Sequence, residues 1–460
     1  MPSASETLAA FAVEVRFDSL PAAVVAKVKL HLLDVLGVAL AGASMEFGGR
    51  ARGVGVGLGG SPTCTVIGFK DRLPAAWAAL VNGTLAHGLD YDDTHTESVV
   101  HVSASVMPAA LAACEEYRAD GDTFLAALAA GLEANIRVGL VARGGFHDRG
   151  FHPTGICGAF ASALVAGRVA GLSAMQIADA LGLAGSQASG SLEFLTDGTW
   201  AKRIHAGWAA HSGLVAARLA AAGFSGPRGT LDGRFGLYRS HLGDAGWDLA
   251  ALTDDLGSRW ELLSIALKPY PCCHFNHAFI DAAAALALRA ASMLAPETID
   301  EIECFISPRE VPVVCEPIAT KRAPQNDYDA KFSLPYAVAS MLVRGHVDVD
   351  DFTDAAIRDP QVLALAQRVV YRNDPDSDFP RRFGGRLRIK LRDGRVLEHH
   401  EPVNRGSAER PLSGDEVREK FRRNAARVLP QQQVEAAIAA VATIESAPDL
   451  SRLTAALRPI

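Results

Sequence analysis

The 460-residue chain has no uninterrupted apolar run of the roughly 18–20 residues that a membrane helix needs, so no membrane partner is expected. Its amino terminus, MPSASETLAAFAVEV, has no basic segment leading into an apolar stretch, so no secretory signal is expected and the cytoplasm is the expected compartment. Basic charge is in deficit: 45 Lys and Arg against 52 Asp and Glu give a net charge of -7. That balance argues against nucleic acid as the main partner, although a local cationic pocket for a small anion is still allowed. Cysteine is sparse, with seven residues, no C-x-x-C pair and only Cys272 and Cys273 adjacent. A disulfide scaffold is excluded, and zinc or iron–sulfur ligation has no spacing to support it. There is no P-loop and no G-x-S-x-G. The letters GVGLGG, Gly55 to Gly60, match G-x-G-x-x-G but stand outside any βαβ pattern, so they are read as a glycine-rich loop. No metal and no cofactor are expected.

Hydrophobic residues make up 49% and charged residues 21%, an ordinary globular composition, and 460 residues exceed what one core holds. Up to about residue 265 the chain reads as helix after helix, rich in Ala and Gly. SLPAAVVAKVKLHLLDVLGVALAG starts with Ser19 as a candidate cap and Pro21 in the first turn, and Gly42 closes it. After KPYPCCHFNH one more helix, AFIDAAAALALRAA, leads into strand patterns at IDEIECFIS and VVYRNDP. GRLRIKLRDGRVLEHHE reads as a hairpin with a type I′ turn at Asp393-Gly394. The tail returns to helix at PLSGDEVREKF, where Ser413 and Glu416 form a capping box. The expected fold is mainly α with an α+β lid. Residues 1–267 and 404–460 form a large helical domain, and residues 268–403 form a smaller inserted domain.

One stretch resists a scaffold reading. NGTLAHGLDYDDTH places three aspartates and two histidines between His87 and His95. If the helix continues to Tyr91, His87 and Asp90 share a face at i, i+3, while Asp92 or Asp93 caps the next helix. Capping plus one satisfied core histidine is the plainer reading of any single residue here; a cluster of charges in apolar surroundings points to a site. Magnesium on an acidic helix would need a second acidic helix opposite, and DLGSRWE and DDFTDAA are poor candidates.

Four more segments place imidazole or ammonium groups at helix starts beside small residues. VVHVSASVMP has His101, with Ser103 as a cap. RGFHPTGICGAF has His152 before Pro153. DGTWAKRIHAG has Lys202, Arg203 and His205 ahead of an Ala-rich helix. KPYPCCHFNH has Lys268, Tyr270, His274 and His277. Two of only nine lysines fall in these segments. Helix N-termini and cationic side chains suit carboxylates. Proton removal next to a carboxylate needs a base near neutral pKa and cations to hold the developing charge. A small polycarboxylate fits this set.

Taken together, the segments LPAAVVAKVKLHLLDVLGVALAG, NGTLAHGLDYDDTH, FHPTGICGAFASA, GTWAKRIHAGWAAHSGLVAA, KPYPCC, AKFSLPYAVA and PLSGDEVREKF resemble the MmgE/PrpD family in sequence and order. That family includes 2-methylcitrate dehydratase, cis-aconitate decarboxylase and iminodisuccinate epimerase. The resemblance implies a homodimer with a metal-free active site between a helical domain and a lid. It implies site positions at Asp90, Thr94, His101, His152, Lys202, His277 and Tyr336. The roles expected are proton exchange by His101 and His152, carboxylate binding by Thr94, Lys202, Lys268 and His277, and a hydrogen bond from Tyr336. Asp90 would orient a histidine or act as an acid. The family pattern has proline after His101, where this chain has Val102. A dehydratase is expected before a decarboxylase, with an epimerase as a further alternative. A non-catalytic helical binding protein and a magnesium-dependent prenyl-chain enzyme are the more distant ones.

Overall fold

The computed structural model describes residues 2–244, 246–290 and 294–460. Helices of ten residues or more are labelled in chain order. The first nine are α1 (Ala4–Glu14), α2 (Ala22–Ala43), α3 (Glu46–Leu58), α4 (Ala75–His87), α5 (Ser103–Tyr117), α6 (Gly121–Ala142), α7 (Pro153–Val169), α8 (Ala174–Gly185) and α9 (Ala201–Ala221). A short antiparallel pair, β1 (Cys64–Thr65) and β2 (Arg72–Leu73), lies between α3 and α4. The second region contains α10 (His277–Ala290), β3 (Ile299–Ile306), α11 (Leu334–Arg344), β4 (Val369–Asn373), β5 (Gly385–Leu391) and β6 (Val396–Glu401). Two helices close the chain, α12 (Gly414–Ala425) and α13 (Gln431–Ala442). The fold is mainly α with a small four-stranded sheet in the order β4-β3-β5-β6, where only the β3–β4 pair is parallel.

There are two hydrophobic cores. One gathers residues from Ala4 to Leu267, then Val349, then Leu412 to Leu457. The other gathers Phe194 and residues from Tyr270 to Leu391. Small residues let the helices of the first core approach closely. A Cβ built on Gly83 would stand 2.6 Å from the Gly207 backbone, so α4 and α9 touch through glycine. One helix, α6, is long and apolar enough to cross a bilayer by length and composition. Its apolar window is wholly buried here, and its buried Glu133–Arg137 ion pair interrupts the apolar run. It is a buried helix of the first core. All seven cysteines are free and buried.

Several local expectations are corrected. Gly55, Val56, Gly57 and Leu58 belong to α3, and only Gly59 and Gly60 leave the helix, with φ of 69° and 106°. Gly55 is buried where a Cβ would stand 2.7 Å from Leu73 and 3.0 Å from Val81, so its lack of a side chain lets α3 pack closely there. Ser19 does not cap α2: Pro21 occupies the cap, and the Ser19 hydroxyl turns back to the Arg16 carbonyl. Gly42 lies within α2, which ends at Ala43; its lack of a side chain lets the Leu85 carbonyl pack against it. The hairpin has a three-residue loop, Arg392 to Gly394, in place of a type I′ turn. Leu391 pairs with Arg395, and Gly394 alone takes positive φ, 88°. The capping box at Ser413 and Glu416 forms as expected.

Candidate active site

The helix α4 ends at His87 and Gly88, so the expected shared helical face of His87 and Asp90 does not exist. Asp90 instead sits in the left-handed region at φ 55°, which turns its carboxylate back into the protein. Asp93 is the capping residue: its Oδ1 accepts from the Ser103 N–H at 2.9 Å, and its Oδ2 accepts from the Ser103 hydroxyl. Ser103 is therefore the first residue of α5 and receives a cap from the acidic turn. Asp93 Oδ2 also meets His31 Nδ1 at 2.5 Å, fixing the turn to α2.

Asp90 is the hub of a buried charge cluster. Lys202, in the first turn of α9, donates to Asp90 Oδ1. Lys268 Nζ lies 3.2 Å from Asp90 Oδ2 and donates to the Asp90 carbonyl at 2.9 Å. Burial alone would raise the Asp90 pKa; the two ammoniums outweigh it and hold the carboxyl well below its usual range. Asp90 is therefore a fixed anion rather than an acid. Phe332 lies under Lys202, with Nζ 5.0 Å from the ring centroid. The last link comes from the chain end. Lys420 of α12 donates to the carbonyls of Tyr91 at 3.1 Å and Lys268 at 2.8 Å, and pairs with Asp34 at 2.8 Å. α12 thus clamps the two segments that carry Asp90 and Lys268.

Imidazoles surround this cluster. His101 Nδ1 lies 3.1 Å from the Asp93 carbonyl and 3.3 Å from Thr94 Oγ1. A proton on Nδ1 satisfies that carbonyl and leaves the Nε2 lone pair free, 3.9 Å from Asp90 Oδ1. His152 caps α7 before Pro153, and its Nδ1 meets His205 Nδ1 at 3.0 Å. His87 stands between them, ring centroids 4.9 Å from His101 and 5.4 Å from His152. Burial lowers the pKa of both His101 and His152 well below 6.5; Lys268 and Lys202 lower that of His101 further, and Lys202 that of His152. Both are neutral at pH 7. His87, Asp92 and His101 each bring one ligand-type atom within 4.8 Å of the others. Two imidazoles and one carboxylate do not suit magnesium, and the 2.7 Å from His87 Nδ1 to Asp92 Oδ2 is a hydrogen bond.

A cleft of about 70 Å³, open to solvent at its mouth, lies between the two cores. Asp90, Thr94, His101, His152, Lys202 and Lys268 all line it, so six of the eight expected site positions converge. Lys202 and Arg203 lie inside the first turn of α9 rather than ahead of it. Arg203 faces away from the cleft, pairing with Asp327 at 2.5 Å and so tying α9 to the lid.

Residues 6–250 match the MmgE/PrpD N-terminal domain, and residues 270–446 match the MmgE/PrpD C-terminal domain. The chain belongs to the MmgE/PrpD family. Relatives along nearly the whole length include cis-aconitate decarboxylase of Mus musculus, 28% identical over 100% of this chain and 94% of that protein. Cis-aconitate decarboxylase of Homo sapiens is 29% identical over 95% of this chain and 90% of its own length. A 2-methylcitrate dehydratase of Yarrowia lipolytica is 32% identical over 27% of this chain and 25% of its own.

In this MmgE/PrpD member the positions His277 and Tyr336 do not reach the cleft. His277 is fully buried, with Nε2 3.2 Å from the Cys272 carbonyl and its ring against Tyr270. His274 lines the cleft in its place. The amide nitrogen of Asn404 donates to His274 Nε2 at 2.6 Å, which puts the ring proton on Nδ1, a buried atom with no partner among the described residues. Tyr336 lies inside the lid core and donates to the Asp351 carbonyl at 2.5 Å. Val102 takes φ -80°, close to the value proline enforces, so its replacement of the expected proline leaves the His101 loop in a proline-compatible shape. His147 and Val99 also line the cleft without any sequence signal to mark them; Val99 has φ 57°, a strained conformation for a β-branched residue.

Proposed function

We propose that the chain is a lyase acting on a small carboxylic acid, moving a proton at the carbon next to a carboxylate. The observation that carries this reading is the convergence of His101, His152, Lys202 and Lys268 around Asp90 in one cleft. Lys202 and Lys268 attract the substrate carboxylate and hold the charge that builds on it as an enolate-like state forms. His101 Nε2, unprotonated at neutral pH, is placed to take or return the proton. A bound carboxylate raises the imidazole pKa, so His152 can then carry a proton to the reacting carbon or leaving group.

We place decarboxylation first. The full-length relatives named above are cis-aconitate decarboxylases, whereas the dehydratase match spans 27% of this chain. In that reaction the C–CO₂⁻ bond breaks, its electron pair stays on the conjugated carbon skeleton, and an imidazolium proton quenches it. Dehydration is the second reading: imidazole takes the proton and a second acid protonates the departing hydroxyl. Both readings predict deuterium entry next to a carboxylate when the protein is incubated in D₂O with cis-aconitate, citrate, 2-methylcitrate or iminodisuccinate. NMR reads the position and distinguishes the two outcomes. His101→Ala and His152→Ala should each slow exchange by at least about 10²-fold. Wild-type rates in both variants, or no exchange with any acid, would overturn the reading.

We further propose a homodimer. Trp200, Ile204 and Trp208 form an exposed apolar stripe at spacing four along the start of α9, which supports a second copy packing there. Light scattering of Trp208→Glu should show a shift to monomer; an unchanged mass rules out this face.

A further inference from the structure

Val99 is the one β-branched residue with a positive φ among the described residues. That backbone costs energy for a branched side chain, so the surrounding structure must hold it there. The turn that carries it is tied at both ends. His95 N–H donates to the Val100 carbonyl at 2.9 Å, Val99 N–H donates to the Thr96 carbonyl at 3.2 Å, and His101 N–H donates to Thr154 Oγ1 at 3.0 Å. Ser98 and Val100, on either side of Val99, pack against the α6 backbone. A Cβ built on Gly139 would stand 2.8 Å from Ser98 Cβ and 2.8 Å from Val100 Cγ2. Val99, between them, lines the cleft.

A second hollow of about 60 Å³ adjoins the cleft and contains Arg143, Gly144 and Arg309 in its lining. Val99, His147, Phe275 and Val313 line both spaces, so these four side chains stand between them. Cations therefore lie on both sides of this partition: Lys202 and Lys268 in the cleft, Arg143 and Arg309 beyond it. The nearest carboxylate to Arg309 is that of Asp148, at 4.0 Å, which leaves guanidinium donors for a further anion. We propose that Val99 is a specificity-determining residue: its isopropyl group closes the cleft off from Arg309 and so limits the length of the acid that binds. The proposal rests on reading the cleft as a carboxylate site. A short acid reaches only Lys202 and Lys268. With the partition opened, a longer diacid can keep one carboxylate at those ammoniums and set the other at Arg309.

The test is calorimetric titration of the full chain with succinate, glutarate, adipate, pimelate and suberate. Wild type should bind the short members most tightly. Val99→Gly should tighten pimelate or suberate relative to succinate by at least about tenfold, as one added charge-assisted hydrogen bond would. Adding Arg309→Gln, at a side chain 55% exposed, should cancel that gain. Val99→Asn separates length from strain: Asn tolerates the left-handed backbone and keeps a branched side chain, so the wild-type length preference should persist. Its thermal midpoint should lie above that of Val99→Ala, which keeps the strain. An unchanged length preference in Val99→Gly, an equal gain in Val99→Asn, a gain that survives Arg309→Gln, or a Val99→Ala midpoint at or above that of Val99→Asn would overturn the proposal. Any of these with succinate still bound leaves the carboxylate reading standing. No binding of any of the five acids by wild type or variants removes that reading and this proposal with it.

Discussion

Replacing Asp90 with Asn tests the charge cluster directly. The substitution keeps the side chain's shape and removes its charge, and Asn tolerates the left-handed backbone at φ 55°. At 3.2 Å from Lys268 Nζ, and with an effective dielectric of about 20, the Asp90 carboxylate gains about 5 kcal/mol of attraction from that ammonium. Lys202 adds a second partner at closer range. Desolvation of all three ions opposes this, since Asp90, Lys202 and Lys268 are 1%, 4% and 1% exposed. The net effect of removing one member of such a buried set is a loss of about 3–5 kcal/mol. Asp90→Asn should therefore lower the apparent thermal midpoint clearly in buffer alone. It should also leave two uncompensated ammoniums facing the cleft. An added carboxylate then takes over part of the missing role, so succinate should bind about tenfold tighter than to wild type, the equivalent of about 1.4 kcal/mol. The assay is thermal unfolding across a succinate titration, with calorimetry for the dissociation constant. If Asp90→Asn unfolds at the wild-type midpoint and binds succinate no more tightly, the reasoning about this cluster is wrong.

Three other outcomes are expected. Lys420→Met should destabilise by about 3–5 kcal/mol in denaturant unfolding, because it strands the buried Asp34 carboxyl and two carbonyls, and Asp34→Asn in the same chain should recover part of the loss. Glu310 is buried with neither carboxyl oxygen bonded among the described residues, and burial pushes its pKa from 4.5 up to about 8. The folded form thus retains a proton that the unfolded chain releases, so stability falls as pH rises from about 4.5 to 8 by a few kcal/mol. Glu310→Gln should remove that fall, as read by unfolding midpoints at pH 5 and pH 8. Finally, because burial holds the pKa of His101 and His152 well below 6.5, kcat/KM for exchange should stay level as pH drops through 6.5 and fall only at lower pH. A half-maximum at 6.5 contradicts neutral, desolvated imidazoles.

Much of this was legible in the residues because it depends on local spacing. The His152–Pro153 helix start, the Ser413–Glu416 box and the paired arms of β5 and β6 follow from cap chemistry and from alternation, which a dozen residues are enough to express. The concentration of charge between His87 and His95, set in an apolar chain, marked the site for the same reason: ions are not buried without partners. The sequence by itself therefore determined the helical character, the acidic turn, and the cationic helix starts that face it. Which groups meet was decided only by the tertiary structure. His274 and His277 lie three residues apart with ring centroids 4.7 Å from each other, and no local pattern distinguishes them. The path of α10 into the lid core buries His277 and leaves His274 on the cleft. Tyr336 shares the amphipathic face of α11 with core residues, so its hydroxyl ends among lid carbonyls. Lys420 reads as one more charge on a polar helix until α12 folds back onto α2 and sets its ammonium between Tyr91 and Lys268. The apolar side chains that line the cleft, too, come from positions as far apart as Leu192 and Phe383. Periodicity reports what one element shows to its surroundings; the identity of those surroundings is set by long-range packing.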